Sequence, residues 1–94
     1  MRSSPEEFQK DFWKNVGQRI TVRRKQLGMT RDQLSFIINI SEKGLGQLER
    51  GEHGCSVARL IAITNTLNMS LDEMIFGKHK LSEHELEQIR TARG

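Results

Sequence analysis

The chain has 94 residues, which suits one small domain and is too short for two full cores. Apolar residues make up 35% of the sequence and charged residues 29%, and the net charge of +3 permits nucleic-acid binding without requiring it. No run of about 18 apolar residues is present, and the N-terminal stretch lacks the apolar core of a secretory signal, so we expect no membrane association. A single cysteine, Cys55, cannot form an internal disulfide, which favours a cytoplasmic location.

The first predicted element is a long helix. Ser4 is a good N-cap, and the proline that follows suits the first helical position. Apolar residues then recur every four positions, at Phe8, Phe12, Val16 and Ile20. This spacing predicts a helix over residues 5–27. Gly17 lies inside it and costs about 1 kcal/mol relative to alanine, so a break at residues 15–17 is the alternative.

Residues 30–51 carry helix signals on both sides of a short turn. Thr30 and Gln33 have the spacing of a capping box, and Ser41 is a second N-cap. Asn39 lies between them and enters the left-handed conformation at low cost, so it can end a helix sharply. Apolar residues follow each cap at helical spacing, at Leu34, Ile37 and Ile38 and again at Leu45 and Leu48. The pattern predicts helix, tight turn, helix.

This segment resembles the helix-turn-helix of the Cro/phage-repressor (Xre-like) family. The residues that carry the resemblance are Thr30, Leu34, Ser35, Ile38-Asn39-Ile40-Ser41, Leu45, Leu48 and Glu49-Arg50-Gly51, and the likeness extends over residues 16–76. The resemblance implies an all-α fold, a compact five-helix lambda-repressor-like DNA-binding domain, here with an extended first helix and a short C-terminal sixth helix. It also implies a structural ion pair between Arg24 and Glu49.

Three further N-caps divide the rest of the chain. Ser56 and Ser70 are expected to begin the fourth and fifth helices, and Ser82 a short sixth helix. The apolar residues expected to bury the fourth and fifth helices are Val57, Leu60, Ile61, Ile63 and Leu67, then Leu71, Met74, Ile75 and Phe76. We therefore divide the chain into an N-terminal helical extension (1–15), the helix-turn-helix domain (16–77) and a C-terminal short helix or tail (78–94).

The predicted DNA interface follows from the recognition helix, which reads base edges with its N-terminal residues. The residues predicted to contact DNA, in this second helix of the motif and beside it, are Arg31, Ser41, Glu42, Lys43, Gly44, Gly46, Gln47, Arg50, His53 and Arg59. Lys43 can donate to guanine or phosphate, Gln47 can pair with adenine, and Glu42 can accept from cytosine. The two glycines allow either close approach of the backbone to DNA or a less specific, shape-based reading.

Five apolar residues are candidates for a dimer or partner surface: Phe8, Trp13, Phe36, Leu86 and Ile89. Phe36 is notable because relatives usually carry polar residues there and at Ile37, although Ile37 can also fill the core. Trp13 is equally explained as a core or half-buried aromatic residue.

Enzyme chemistry is not supported by the residues available. His53 and Cys55 lack a third partner, and His79 and His84 are five apart across a helix start, which is not the spacing of a helical metal pair. No glycine-rich phosphate loop is present. We therefore expect no catalysis, no metal, no cofactor and no small-molecule ligand.

These features predict sequence-specific binding of double-stranded DNA by a transcriptional regulator, a repressor acting as a homodimer. The alternative is a protein-interaction module or antitoxin-like adaptor on the same fold, with weak or lost DNA binding. Gly44, Gly46 and an exposed Phe36 favour that alternative.

Overall fold

The computed structural model describes residues 4–77 and, further along the chain, residues 84, 87, 88, 90 and 91. Its described part contains five α-helices: α1 (Pro5–Gln26), α2 (Arg31–Ile37), α3 (Glu42–Glu49), α4 (Val57–Thr66) and α5 (Leu71–Phe76). The predicted all-α fold with five helices is therefore confirmed. None of the helices described here is both long and apolar enough to cross a bilayer.

The predicted sixth helix falls mostly outside the described residues. Its predicted N-cap Ser82 and its apolar residues Leu86 and Ile89 are all outside them. The described residues beyond Gly77 are helical and exposed, and Arg90 Nη1 contacts Glu87 Oε2 at 3.0 Å.

A hydroxyl N-cap begins every helix from α1 to α5. Each cap oxygen accepts a hydrogen bond of 2.9 to 3.1 Å from the backbone amide three residues later, and the caps are Ser4, Thr30, Ser41, Ser56 and Ser70. Gln33 and Glu73 also accept from the cap amides, which completes two capping boxes. These contacts pair amides that a helix start leaves without a partner. They depend only on residues close in sequence, which is why all five helix starts could be predicted.

Helix α1 is continuous, so the alternative of a break near Gly17 is wrong. The last turn of α3 crosses α1 at this glycine. A β-carbon at Gly17 would lie 2.4 Å from the carbonyl oxygen of Leu48 and 2.6 Å from that of Glu49. Glycine is required here because the two helix backbones touch.

One apolar core joins the five helices. Its buried side chains are Val16, Ile20, Leu34, Ile38, Leu45, Leu48, Leu60, Ile63, Leu67 and Met74. Each of the five helices contributes at least one of these side chains, so no helix could be removed without opening this core.

Three residues predicted to bury α4 and α5 are exposed instead. Val57 and Ile61 are 69% and 42% exposed, because the face of α4 that carries Leu60 and Ile63 already meets the core. Phe76, in the last turn of α5, is 66% exposed. At the end of α2, likewise, Ile38 takes the core position that Ile37 was a candidate to fill, and Ile37 is exposed.

Arginines of α1 bind the C-terminal ends of α4 and α5, a feature that the sequence did not indicate. Nη1 of Arg19 donates to the carbonyl oxygens of Met74 and Ile75, both at 2.9 Å. Nε of Arg23 donates to the carbonyl oxygen of Leu67 at 2.9 Å. Such carbonyls lack intrahelical partners and carry the negative end of the helix dipole, so a cation is favoured there.

A buried ion pair fixes α1 to α3. Arg24 donates from Nε and Nη2 to the two carboxylate oxygens of Glu49, at 2.8 and 3.1 Å, and both residues are buried. Arg31, at the start of α2, adds a contact of 3.3 Å from Nε to Oε1 of Glu49 that the sequence did not indicate. Burial raises the pKa of Glu49, but the hydrogen bonds and charges of both arginines outweigh it, so the pKa lies below its ordinary value.

We expect Gly17→Ala to destabilise the protein, although alanine is the better helix former by about 1 kcal/mol. The added β-carbon would meet backbone oxygens that cannot rotate away, and overpacking of this kind costs about 1–3 kcal/mol. Because the approach is as close as 2.4 Å, the clash should exceed the gain in propensity. Urea unfolding followed by circular dichroism measures the change.

The matched control is Gly44→Ala, whose β-carbon would meet only Ser41 Oγ, at 3.0 Å. This variant should be neutral or more stable than the wild type. A Gly17→Ala protein that gains stability in the same way would contradict the close crossing of α1 and α3.

We expect Glu49→Gln to lower the free energy of unfolding by about 3 kcal/mol at neutral pH, because Arg24 is left buried without a countercharge. The folded-state pKa of Glu49 is below the ordinary 4.5, so the carboxylate stabilises the fold fully above that value and loses its effect as pH falls through the folded-state pKa. The difference between wild type and variant should therefore be largest near neutral pH and shrink below about pH 4.5. Urea unfolding at several pH values measures it, and a difference independent of pH would contradict the assignment.

Candidate nucleic-acid interface

The turn between α2 and α3 is held from both sides. Asn39 has a φ of 58°, the left-handed conformation that the sequence predicted, and the amide of Ile40 donates to the carbonyl oxygen of Ser35 at 3.0 Å. From α4, Nη1 of Arg59 donates to the carbonyl oxygen of Ile38 at 3.1 Å. These contacts fix the direction in which α3 leaves α2.

The sequence predicts a DNA contact for Arg59, which stays a prediction, and the structure shows in addition that this side chain binds the turn. Its Nη1 also lies 3.5 Å from the carbonyl oxygen of Asn39, and the residue is only half-exposed. The sequence contained no signal for this contact, because residues 38 and 59 are brought together only by the packing of α4.

Helix α3 is buried at its C-terminal end and open at its N-terminal end. Leu48 and Glu49 are buried against α1, whereas Ser41, Glu42 and Lys43 are exposed. The open end carries a hydroxyl, a carboxylate and an ammonium group, which match the donors and acceptors of base edges and phosphates. No described residue covers this end, as entry into a groove requires.

The two glycines of α3 have different surroundings. A β-carbon at Gly44 would meet only Ser41 Oγ, so the backbone there faces outward. Gly46 is buried, and a β-carbon there would lie 3.1 Å from Nη1 of Arg50 and 3.8 Å from Cδ of Arg31. Gly46, assigned by the sequence to the DNA interface, therefore makes room for two arginine side chains and offers no open backbone surface.

Arg31 and Arg50 converge on this side of α3. Arg31 is bound to Glu49 through Nε, and Nε of Arg50 donates to the carboxylate of Glu52. The hydrogen bond between Arg50 and Glu52 raises the pKa of the guanidinium and lowers that of the carboxyl. An exposed pair of this kind adds little stability, but the carboxylate competes for a cation that a phosphate would otherwise use.

The loop between α3 and α4 packs on the first half of α1. A β-carbon at Gly54 would lie 2.3 Å from the ring of Trp13, and one at Gly51 would lie 2.6 Å from Cα of Lys14. His53 is exposed in the same loop and lines a shallow recess together with Trp13 and Lys14. The predicted phosphate residue His53 is therefore held beside the N-terminal half of α1.

Among the candidates for a partner surface, Phe36 is the most exposed, at 86%. Phe8 is 65% exposed and stacks on Phe12, with 6.3 Å between ring centroids. Trp13 is half-buried and meets Phe12 edge to face, so its ring already has partners within the chain. The other two candidates, Leu86 and Ile89, lie outside the described residues.

Helix α4 adds an exposed apolar surface that the sequence had assigned to the core. Val57 and Ile61 lie on its outer face, where the neighbouring exposed residues include two alanines and no charge. The hydrogen bond from Arg59 to Ile38 holds the start of α4 beside the end of α2, which carries Phe36 and Ile37. We refer to the exposed apolar side chains of these two helices, Phe36 and Ile37 of α2 with Val57 and Ile61 of α4, as the α2–α4 apolar surface.

Within residues 4–77 and the few described beyond them, no group of three or more His, Cys, Asp or Glu side chains is placed to hold a metal ion. Cys55 is half-buried, and burial raises the pKa of its thiol by more than the charge of Arg59 lowers it. The thiolate, which is the nucleophilic form, is therefore disfavoured at neutral pH.

Solved structures of other proteins have folds similar to that of this chain. Two solved structures each have 96% of their length covered by this chain: the P22 c2 repressor in complex with a synthetic operator (30% identity, TM-score 0.63, 67% of this chain) and the restriction-modification controller protein C.AhdI from Aeromonas hydrophila (25% identity, TM-score 0.62, 68% of this chain). A chain of the SinR/SinI complex has 25% identity and a TM-score of 0.62, over 83% of this chain and 78% of that one. Comparison with curated protein sequences gives no match.

The helix-turn-helix family model matches residues 22–74, which is more than half of the chain and contains α2, the turn and α3. The residues that carried the resemblance include Asn39 of the turn and Glu49 of the buried ion pair. The chain belongs to the helix-turn-helix family of DNA-binding transcription regulators.

Proposed function

We propose that this protein represses transcription by binding double-stranded DNA as a homodimer, through the exposed N-terminal end of α3. The observation that carries the proposal is the orientation of α3. Its C-terminal end is fixed by the crossing at Gly17 and by the pair of Arg24 with Glu49, while its other end projects from the described chain. The major groove admits an α-helix presented in this way. The likeness to the P22 c2 repressor, solved with a synthetic operator, supports the proposal.

Base reading would fall to the exposed polar residues of α3. Lys43 would donate to the O6 and N7 acceptors of guanine, and the half-exposed Gln47 would pair with the N6 and N7 atoms of adenine. Glu42 would accept from the amino group of cytosine and would keep phosphates away from its own position. Ser41 and Gly44 would allow the backbone at the start of α3 to come close to the groove wall.

Phosphate binding would fall to the residues that flank α3. Arg31 and Arg50 lie together on one side of the helix, and His53 is exposed in the loop that follows it. Such contacts set the register and most of the affinity, whereas base contacts set sequence preference. Arg59 would act indirectly, because it holds the turn that aims α3.

We expect the protein to bind duplex DNA with an affinity that falls steeply between about 50 and 200 mM salt, because phosphate binding releases counterions. In a duplex selected from a randomised pool, Lys43→Ala with Gln47→Ala should weaken binding about tenfold or more, since a good base contact is worth about 1–3 kcal/mol. Fluorescence anisotropy measures both effects. The control is Gln26→Ala, an exposed glutamine on the side of α1 that faces α5.

Binding that is absent at low salt, or that does not depend on salt, would contradict the proposed function. Equal loss in the Gln26→Ala control would show that the effect is not specific to the exposed residues of α3. Unfolding curves of all variants should therefore match that of the wild type.

The homodimer is proposed because one small domain offers few contacts, whereas two-fold pairing places two recognition helices about 34 Å apart, one turn of B-DNA. We propose the α2–α4 apolar surface as its interface. Its four large apolar side chains are each at least 42% exposed, and its outer α4 face carries no charge, so two copies could meet there without opposing like charges.

We expect Phe36→Ser and Ile61→Arg each to shift the protein from dimer towards monomer in sedimentation velocity, because each replaces buried apolar contact area at the proposed interface. The matched control is Phe8→Ser, at the far end of α1, which should leave the dimer intact. A wild-type protein that is monomeric at micromolar concentration, or a dimer lost only in Phe8→Ser, would contradict this interface.

The second candidate function is that of a protein-interaction adaptor with little DNA affinity, and the 86% exposure of Phe36 favours it. The two functions differ in what each variant does. For an adaptor, the biological activity survives Lys43→Ala with Gln47→Ala and is lost in Phe36→Ser. For a repressor, Lys43→Ala with Gln47→Ala is sufficient to abolish repression of a reporter.

A further inference from the structure

A basic recess lies between α1, the start of α2 and the end of α3. It has a volume of about 360 Å³ and is lined by Lys14, Gln18, Thr21, Arg31, Glu49 and Arg50. Two of these, Arg31 and Arg50, belong to the proposed phosphate contacts. Lys14 belongs to the N-terminal extension of α1, ahead of residues 16–76 over which the sequence resembles the family.

The charges that line this recess leave it positive. Lys14, Arg31 and Arg50 face a single lining carboxylate, that of Glu49, and one further carboxylate, that of Glu52, binds Arg50 from outside the lining. Both oxygens of the Glu49 carboxylate already accept hydrogen bonds from Arg24 and Arg31. The carboxylate therefore cannot neutralise Lys14, and a phosphodiester is the anion that a DNA-binding surface would bring to it.

The position of Lys14 relative to α3 is fixed by backbone contacts. Directly after α3, a β-carbon at Gly51 would lie 2.6 Å from Cα and 3.0 Å from the amide nitrogen of Lys14. The neighbouring Trp13 lies against Gly54 in the same loop. The helix extension is thus pressed against the chain segment that leaves the recognition helix, so the backbone of Lys14 is held beside the end of α3.

We propose that this recess binds one phosphate of the DNA backbone and that Lys14 is one of its ligands. The N-terminal extension of α1 then belongs to the DNA interface and lengthens the line of phosphate contacts beyond the helix-turn-helix domain. The inference rests on the proposed function, because the phosphate is supplied by the duplex that α3 binds.

The test is the salt dependence of DNA binding by Lys14→Gln, measured by fluorescence anisotropy. Loss of one phosphate contact should reduce the slope of log affinity against log salt concentration by about 0.9. The affinities for a selected duplex and for an unrelated duplex should fall by the same factor, because the contact carries no sequence information. Lys14→Arg should retain the wild-type slope.

The matched control is Lys10→Gln, one helical turn earlier on α1 and outside the lining of this recess. Its slope should equal that of the wild type. If the wild type binds DNA with salt dependence but Lys14→Gln keeps the wild-type slope, the inference is wrong and the proposed function stands. If the wild type does not bind DNA, the proposed function itself fails.

Inorganic phosphate distinguishes a site for the DNA backbone from a site for a free ion. At constant ionic strength, millimolar inorganic phosphate should leave DNA affinity unchanged, because a single ion gains none of the duplex's other contacts. Phosphate binding that Lys14→Gln abolishes, while the affinity and salt slope of DNA binding stay unchanged in that variant, would contradict the assignment to DNA and would identify a site for free phosphate.

Discussion

The carboxylate of Glu49 is the group on which the presentation of α3 depends. It is bound by Arg24 from α1 and by Arg31 from α2, at the place where the last turn of α3 crosses Gly17. A buried ion pair adds little net stability, because desolvation offsets much of the attraction. Its hydrogen bonds are directional, however, and together with the backbone contact at Gly17 they hold one end of α3. The other end is left outside the core, where a groove can receive it.

The same contacts organise the charge around α3. Arg31 joins the Glu49 cluster and still lies beside Arg50, because Gly46 has no side chain to keep the two apart. Lys14 reaches the same side from the extension of α1. A net charge of +3 is modest for a DNA-binding protein, but Lys14, Arg31 and Arg50 line one recess on the side where the proposed duplex would run. Scaffold and binding surface therefore share residues, and a substitution such as Arg31→Ala would alter both.

Local features were predictable from the sequence, and contacts between distant segments were not. The five N-caps, the left-handed Asn39 and the family ion pair were found because each depends on short-range chemistry or on a recognised motif. The exposed face of α4 was missed because most of its positions are apolar and periodicity alone cannot say which ones meet the core. The contact of Arg59 with the turn and the crowding at Gly17 were missed because they arise only when the helices pack. The residues of the interface that bind bases stay a prediction.

Amide chemical-shift mapping of isotopically labelled protein, titrated with a short duplex at low salt, tests the central claim most directly. The account predicts that the largest changes fall on residues 41–47, with further changes at Arg31 and in the loop that follows α3. The chemical shifts of the amides in α5 and on the α1 face beside it should not change. Changes concentrated on α5, or an α3 whose amides do not respond to saturating duplex, would contradict the claim that its N-terminal end is the surface that meets DNA.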